Sequence, residues 1–201
     1  MGSLLSPFKL IVVSPEQDFN EETQYVANLF DSGLQLFHLR KPSYSQLQLS
    51  KYINSLPIQH HSKIVIHSHF YLTTQFSLKG IHLNEKERTK HTEVESHKNI
   101  ISTSFHSIRE LLSNTLKYEY VFLSPIYNSI SKKGYNSSFN PQEIDLLLLN
   151  HSERVIALGG ISDANIYDVK KRGFTGAALL GYIWEADKPI KQWEKLQSVI
   201  A

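Results

Sequence analysis

The sequence has no cysteine, no long apolar run and no dominant sign of charge. The first absence removes disulfides, zinc–thiolate centres and thiol catalysis. The second removes a membrane-spanning helix, which needs roughly 20 consecutive apolar residues. The stretch Met1 to Lys9 also lacks a basic region followed by an apolar one, so the expectation is a cytoplasmic protein without a signal peptide. The third absence concerns partners. A formal net charge of +2, from 21 basic and 19 acidic residues, is too weak to attract nucleic acid or a membrane surface by field strength. Two motifs are missing as well. No Gly-x-Gly-x-x-Gly opens the first helical stretch, which weakens an open dinucleotide-binding sheet. No Ser-His-Asp order or nucleophile elbow occurs, which leaves acyl transfer poorly supported.

What is present is a chain of 201 residues, 41% of them hydrophobic, which is enough to bury a core without staples. No linker divides it, so one domain over residues 1–201 is expected. Short apolar runs recur about every 25 residues, with amphipathic stretches between them. The strand signals are Lys9–Ser14, Leu36–Arg40, Lys63–His67, Gly80–Leu83, Ile100–Ser104, Tyr120–Ile126, Arg154–Gly160 and Gly176–Ile183. Helices are expected over Glu21–Ser32, over Tyr44–Leu56 with Ser43 as N-cap, near Tyr71–Phe76, and over Ser107–Leu116. Others follow from Pro141, over Asp163–Arg172 and over Pro189–Val199. Asn84–Asn99 reads as a loop with one weak helical turn, and Tyr127–Asn140 as a mobile loop. Near-continuous apolar strands alternating with helices indicate a parallel sheet covered on both faces. Eight such units make a single compact (β/α)₈ TIM barrel, here stripped of insertions.

In such a barrel the chemistry lies where the strands end, so the strand ends filter for function. They carry His38-Leu-Arg40-Lys41, His67-Ser68-His69, His82 with Glu85 and Glu87 beyond it, and Ser104-Phe-His106. The sixth strand leads to Ser129, Ser131, Lys132 and Lys133, the seventh ends in Gly159-Gly160, and the eighth in Leu180-Gly181. Arginine forks, lysine charges and serine hydroxyls suit phosphate groups. Glycines at the last two ends let backbone N–H groups approach an anion closely. Each feature has a plainer reading. Arg40 could pair with a rim carboxylate, His38 and His82 could be core histidines, and His60-His61 reads as a solvated loop. His67 and His69 alternate as a metal pair would, but no carboxylate lies nearby.

In order, Phe37-His-Leu-Arg-Lys41, Gly80-Ile-His-Leu83, Ser104-Phe-His106, Tyr120 through Lys132, Ala157-Leu-Gly-Gly-Ile161 with Asn165, and Gly173-Phe-Thr-Gly-Ala-Ala-Leu-Leu-Gly181 resemble the thiamine phosphate synthase superfamily. This superfamily includes the synthases and the aminothiazole tautomerases. The resemblance runs from Lys9 to about Ile183 and implies coupling of hydroxymethylpyrimidine pyrophosphate to thiazole phosphate, with release of pyrophosphate. It implies pyrophosphate contacts at Arg40, Ser104, Ser129, Ser131 and Lys132, with Arg40, Ser104 and Lys132 as the catalytic candidates, and a thiazole phosphate cradle at Gly159, Gly160 and Gly181. His38, Lys41, His67, His82, His106 and Leu180 are carried along as substrate-binding candidates. The partners implied are the two phosphorylated small molecules, with a homodimer left open.

The resemblance is incomplete. Synthases carry Gln-x-Arg-x-Lys where this chain has His38-Leu-Arg40-Lys41-Pro42. Where they carry Asn-Asp-Arg it has His67-Ser68-His69, so Ser68 replaces a magnesium-binding aspartate. The second such aspartate falls at Glu87, which leaves magnesium doubtful. Tautomerases share the strand-two histidine and the Lys-Lys-Gly run, but their catalytic histidine falls at Pro125. Three readings therefore stand: a synthase-like transferase, a thiazole phosphate isomerase, and a non-catalytic thiazole or thiamine phosphate-binding protein.

Overall fold

The expected apolar runs form eight parallel strands, hydrogen-bonded in sequence order, with β1 closing on β8. The structure is a computed structural model that describes residues 8–89, 100–128, 139–150 and 154–200. The strands are β1 (Lys9–Val13), β2 (Leu36–Leu39), β3 (Ile64–Ile66), β4 (Gly80–Leu83), β5 (Ile100–Phe105), β6 (Tyr120–Leu123), β7 (Val155–Leu158) and β8 (Gly176–Leu179). The helices are α1 (Glu22–Asp31), α2 (Gln46–Ser55), α3 (Leu72–Gln75), α4 (Glu85–Arg88), α5 (Ile108–Ser113), α6 (Pro141–Asn150), α7 (Ile166–Arg172), α8 (Gly181–Trp184) and α9 (Pro189–Ile200). Among the described residues no helix is long and apolar enough to cross a membrane.

Alternation along each strand divides the core in two. Val12, Phe37, Leu39, Ile64, Ile66, Val121 and Leu123 point outward and pack under the helices. Ile11, Val13, Leu36, Val65, Tyr120, Phe122, Ile156 and Ala178 fill the lumen. By the same alternation His38, His82 and Ser102 also point into the lumen, where all three are buried.

Three local expectations need correction. Helix α2 is capped by Ser45, not Ser43. Both serines have a glutamine three residues on, but Lys41–Tyr44 is used in a turn (Tyr44 N to Lys41 O, 3.1 Å), so the capping box forms from Ser45 and Gln48. His60 and His61 are buried, not solvated. His61 Nε2 lies 3.0 Å and 3.2 Å from the Ile53 and Leu56 carbonyls, supplying a donor that the end of α2 lacks. His60 stacks on Phe30, with ring centroids 4.6 Å apart. Finally, the apolar run at the eighth strand stops at Leu179, and residues 181–184 turn into α8.

Candidate functional site

Strand β1 is followed by Ser14, whose hydroxyl accepts from the Arg40 backbone N–H at 2.7 Å and donates to the Arg40 carbonyl at 3.0 Å. This clamp fixes the ends of β1 and β2 together. Arg40 then projects into a cavity of about 310 Å³ at the carboxyl ends of the strands. Its Nη1 donates to Glu16 Oε1 at 2.5 Å, so one edge of the guanidinium is held and the rest of its five-donor fork remains for an anion. Ser104 and His106, from the end of β5, line the same cavity. His106 Nδ1 lies 2.9 Å from the Ser124 carbonyl, which fixes Nδ1 as the donor.

The other wall is backbone. Gly159, Gly160, Leu180 and Gly181 all line the cavity. Asn165 holds the turn after β7: its Nδ2 donates to the Gly160 carbonyl at 2.8 Å, and its Oδ1 accepts from Ser162 N at 2.9 Å. Trp184 Nε1 donates to the Val13 carbonyl at 2.7 Å and seats α8 over β1. The structure adds a second reason for the two glycines. They adopt φ of 94° and 64°, and a Cβ on Gly160 would lie 2.3 Å from the Asn128 carbonyl oxygen. A Cβ on Gly159 would lie 2.8 Å from Pro125 Cα. Their bareness thus lets the β7 turn pass close to the segment after β6. Gly160→Ala is expected to cost roughly 1–3 kcal/mol from the left-handed backbone and the steric contact together. An unchanged urea midpoint would contradict this.

Three imidazoles form the floor. His67 and His82 line the cavity, and His38 lies buried beneath. His38 Nδ1 is 2.9 Å from His67 Nε2, and His38 Nε2 meets the Tyr120 hydroxyl. His67 and His82 stack with centroids 4.3 Å apart. His82 Nδ1 and Nε2 each lie 2.9 Å from a serine hydroxyl, Ser102 and Ser104 respectively. Burial keeps all three rings neutral. It holds His82 down to about 3, helped by the nearby Arg40 and Arg88 charges, and it holds His38 and His67 well below the usual range.

Several expected site residues lie elsewhere. Lys41 does not reach the cavity: its Nζ is buried against Glu22 Oε2 at 2.6 Å and the Gln17 carbonyl at 2.9 Å. Glu87 is the return arm of the Asn84 capping box on α4, accepting from Asn84 N at 3.3 Å. His69 does not pair with His67. It follows the end of β3 with φ of 51°, and its Nε2 turns to the Tyr44 carbonyl at 3.0 Å. Ser129, Ser131, Lys132 and Lys133 lie outside the described residues.

Glu85, beyond the fourth strand, lines the cavity as its place at a strand end implied, beside Asn84 and Ser124. Glu16 and Phe122 also line the cavity, Tyr120 and Ser102 brace its floor, and none of these four stood out in the sequence as a site residue. Extending the strand-end filter to β1 would have found Ser14 and Glu16. Ser102 and Tyr120 sit mid-lumen, where no strand-end rule points.

The two family aspartates are not reproduced. Magnesium takes oxygen ligands. Ser68 stands where one aspartate is expected and Glu87 is committed to its helix cap, which leaves Glu16, bridged to Arg40, and Glu85 as the carboxylates that line the cavity. The floor offers nitrogen instead.

A closed barrel with a guanidinium, hydroxyls and a glycine turn around one cavity at its strand ends defines a small-molecule-binding (β/α)₈ protein. Comparison with known proteins narrows this. Residues 10–183 match the family model described as thiamine monophosphate synthase, and the chain belongs to that family. A thiamine phosphate pyrophosphorylase crystal structure from Bacteroides thetaiotaomicron superposes with a TM-score of 0.82 at 33% identity, covering 96% of this chain and 97% of that one. The Pyrococcus furiosus thiamine phosphate pyrophosphorylase gives a TM-score of 0.78 at 16% identity, covering 96% and 95%, which speaks for the fold alone. The Staphylococcus epidermidis thiamine-phosphate synthase is 23% identical over 180 residues, 84% of this chain and 85% of that protein.

Proposed function

We propose that this chain works in thiamine biosynthesis as a synthase-like transferase. It would couple hydroxymethylpyrimidine pyrophosphate to thiazole phosphate and release pyrophosphate. In this reaction the bond from the pyrimidine methylene carbon to pyrophosphate oxygen breaks, and the thiazole nitrogen captures the carbon. The protein's task is to stabilise charge on the departing pyrophosphate and to hold the nucleophile in line. Arg40 and Ser104 serve the first task, with Ser129, Ser131 and Lys132 as the further contacts that the family resemblance implies. Backbone amides at Gly159, Gly160 and Gly181 serve the second by holding the thiazole phosphate. The observation that carries this reading is that one cavity is lined both by the Arg40–Ser104 pair and by the two glycine turns. A cytoplasmic setting is consistent with such chemistry.

The direct test is incubation with both precursors, first in chelator and then with individual divalent ions including magnesium, with the coupled product detected by mass. Coupling under any of these conditions supports the reading, and its absence under all of them overturns it. Arg40→Ala is expected to weaken pyrophosphate binding at least tenfold and to leave thiazole phosphate binding nearly unchanged, because a charge-assisted contact is lost on one side only. Equal losses for the two ligands would refute the site map.

The isomerase reading draws on one observation: His67 and His82 line the cavity as neutral imidazoles, the protonation state of a general base. Their depressed basicity weighs against it. Tautomerisation of thiazole phosphate without any coupling would favour it.

A further inference from the structure

We propose that His38, His67 and His82 form a three-imidazole site for a late first-row divalent metal ion of the zinc or cobalt class, with its open coordination position facing the cavity. One ring nitrogen from each histidine lies within 4.8 Å of the other two, and the His38–His67 pair is already at 2.9 Å. Tetrahedral zinc with Zn–N of about 2.0–2.1 Å needs ligand nitrogens roughly 3.3 Å apart, a spacing inside this range. His38 and His82 lie on β2 and β4, and His67 directly follows β3 between them. His38 is registered to Val65 and Ile66 to Ile81, so His67, one step further, falls beside His82. Rigid strands place ligands better than loops do.

The outer hydrogen bonds fit the same assignment. Tyr120 stands at His38 Nε2, and Ser102 stands 2.9 Å from His82 Nδ1. When these nitrogens carry the protons, His38 Nδ1 and His82 Nε2 turn lone pairs toward the cluster. Metal-ligating histidines are held by partners of this kind. With these tautomers the proton between His38 Nδ1 and His67 Nε2, 2.9 Å apart, belongs to His67, and coordination would require it to pass to His67 Nδ1. The nearest cations are already matched: Arg40 pairs with Glu16, and Arg88 with Glu110. A bound ion with three protein ligands keeps a place for water or a ligand oxygen, which it would polarise as a Lewis acid. Ser104 and His106 line the cavity above that place.

The test uses the full chain without an affinity tag, stripped with chelator and titrated with cobalt(II) and then with zinc. One equivalent per chain, with visible cobalt absorption typical of four-coordination, is the expected result. His38→Asn and His82→Asn should each weaken binding at least a hundredfold. Tyr120→Phe should weaken it about tenfold, as loss of an outer partner does. His69→Gln, outside the cluster, should keep full affinity. Circular dichroism establishes that each variant is folded. X-ray absorption at the zinc edge of the wild-type chain needs no variant at all: three imidazoles in the shell support the site. Fewer than three, or less than half an equivalent bound, would overturn it. Each readout is independent of the coupling assay, so this site and the transferase reading can fail separately.

Discussion

Replacing Glu22 with alanine is expected to cost about 3–5 kcal/mol of folding stability, although Glu22 lies outside the cavity. Lys41 is 1% exposed and Glu22 is 5% exposed, so this ion pair is buried between α1 and the segment after β2. The carboxylate also accepts from the Tyr52 hydroxyl at 2.7 Å, and Lys41 donates to the Gln17 carbonyl at 2.9 Å. Burial pushes the Glu22 carboxyl up, and the Lys41 and Tyr52 contacts pull it back down. Removing Glu22 strands an ammonium in the core, where its desolvation is no longer offset. The pair itself contributes little net stability, because both charges were taken out of water to form it. The double variant Glu22→Met with Lys41→Met should therefore recover most of the loss. A urea series on the two single variants and the double variant checks this. Additive losses would show that the pair is not coupled as described.

Acidifying the chelator-treated chain from pH 6.5 to pH 5 is expected to remove roughly 1.5 kcal/mol through His82 alone, with His38 and His67 acting in the same direction. In the unfolded chain these rings protonate near the ordinary histidine value. In the folded chain burial opposes protonation first, and neighbouring charge opposes it second: His82 acts on His38, while Arg40 and Arg88 act on His82. The folded pKa values are thus depressed. Below about pH 6.5 the unfolded state binds more protons, and stability falls as pH drops, by roughly 1 kcal/mol per pH unit for His82. The contribution is complete above pH 6.5 and, for His82, continues to be lost down to about pH 3. Facing His38 are His67, His82 and Tyr120. Facing His82 are Ser102 and Ser104 as well. Glu22, with its raised carboxyl, acts in the opposite sense, so the comparison is with His82→Asn, which shares that term. The variant should lose the His82 share, roughly 1.5 kcal/mol between pH 6.5 and pH 5, and keep the part that His38 and His67 contribute. Identical urea midpoints against pH for the two proteins would sink the prediction.

Much of the candidate site could be read from strand ends, because in a closed parallel barrel all eight carboxyl ends converge on one mouth. That is why Arg40, His67, His82, Ser104, His106, Gly159, Gly160 and Gly181 meet although they span 142 positions from Arg40 to Gly181. Some misplacements were avoidable. His38 and Arg40 point inward, so alternation sends Lys41 outward, toward the helix layer where Glu22 lies. Asn84-x-x-Glu87 is itself a capping-box pattern, which already assigns the Glu87 side chain to the backbone. His69 was a different case. Alternation does not apply there, because β3 ends at Ile66 and the chain turns through a left-handed residue.

The sequence by itself determined the succession of apolar strands and amphipathic helices, hence the barrel and the end of it that bears the chemistry. That information is periodic and local, since side chains repeat along a strand or helix whatever lies beside it. Only the tertiary structure decided that His38, His67 and His82 share a floor, that Lys41 faces Glu22, and that Gly160 makes room for Asn128. These contacts depend on the register between neighbouring strands and on how the helices pack over them. A spacing of 15 or 29 residues along the chain, as from His67 to His82 or from His38 to His67, says nothing about which ring nitrogens meet.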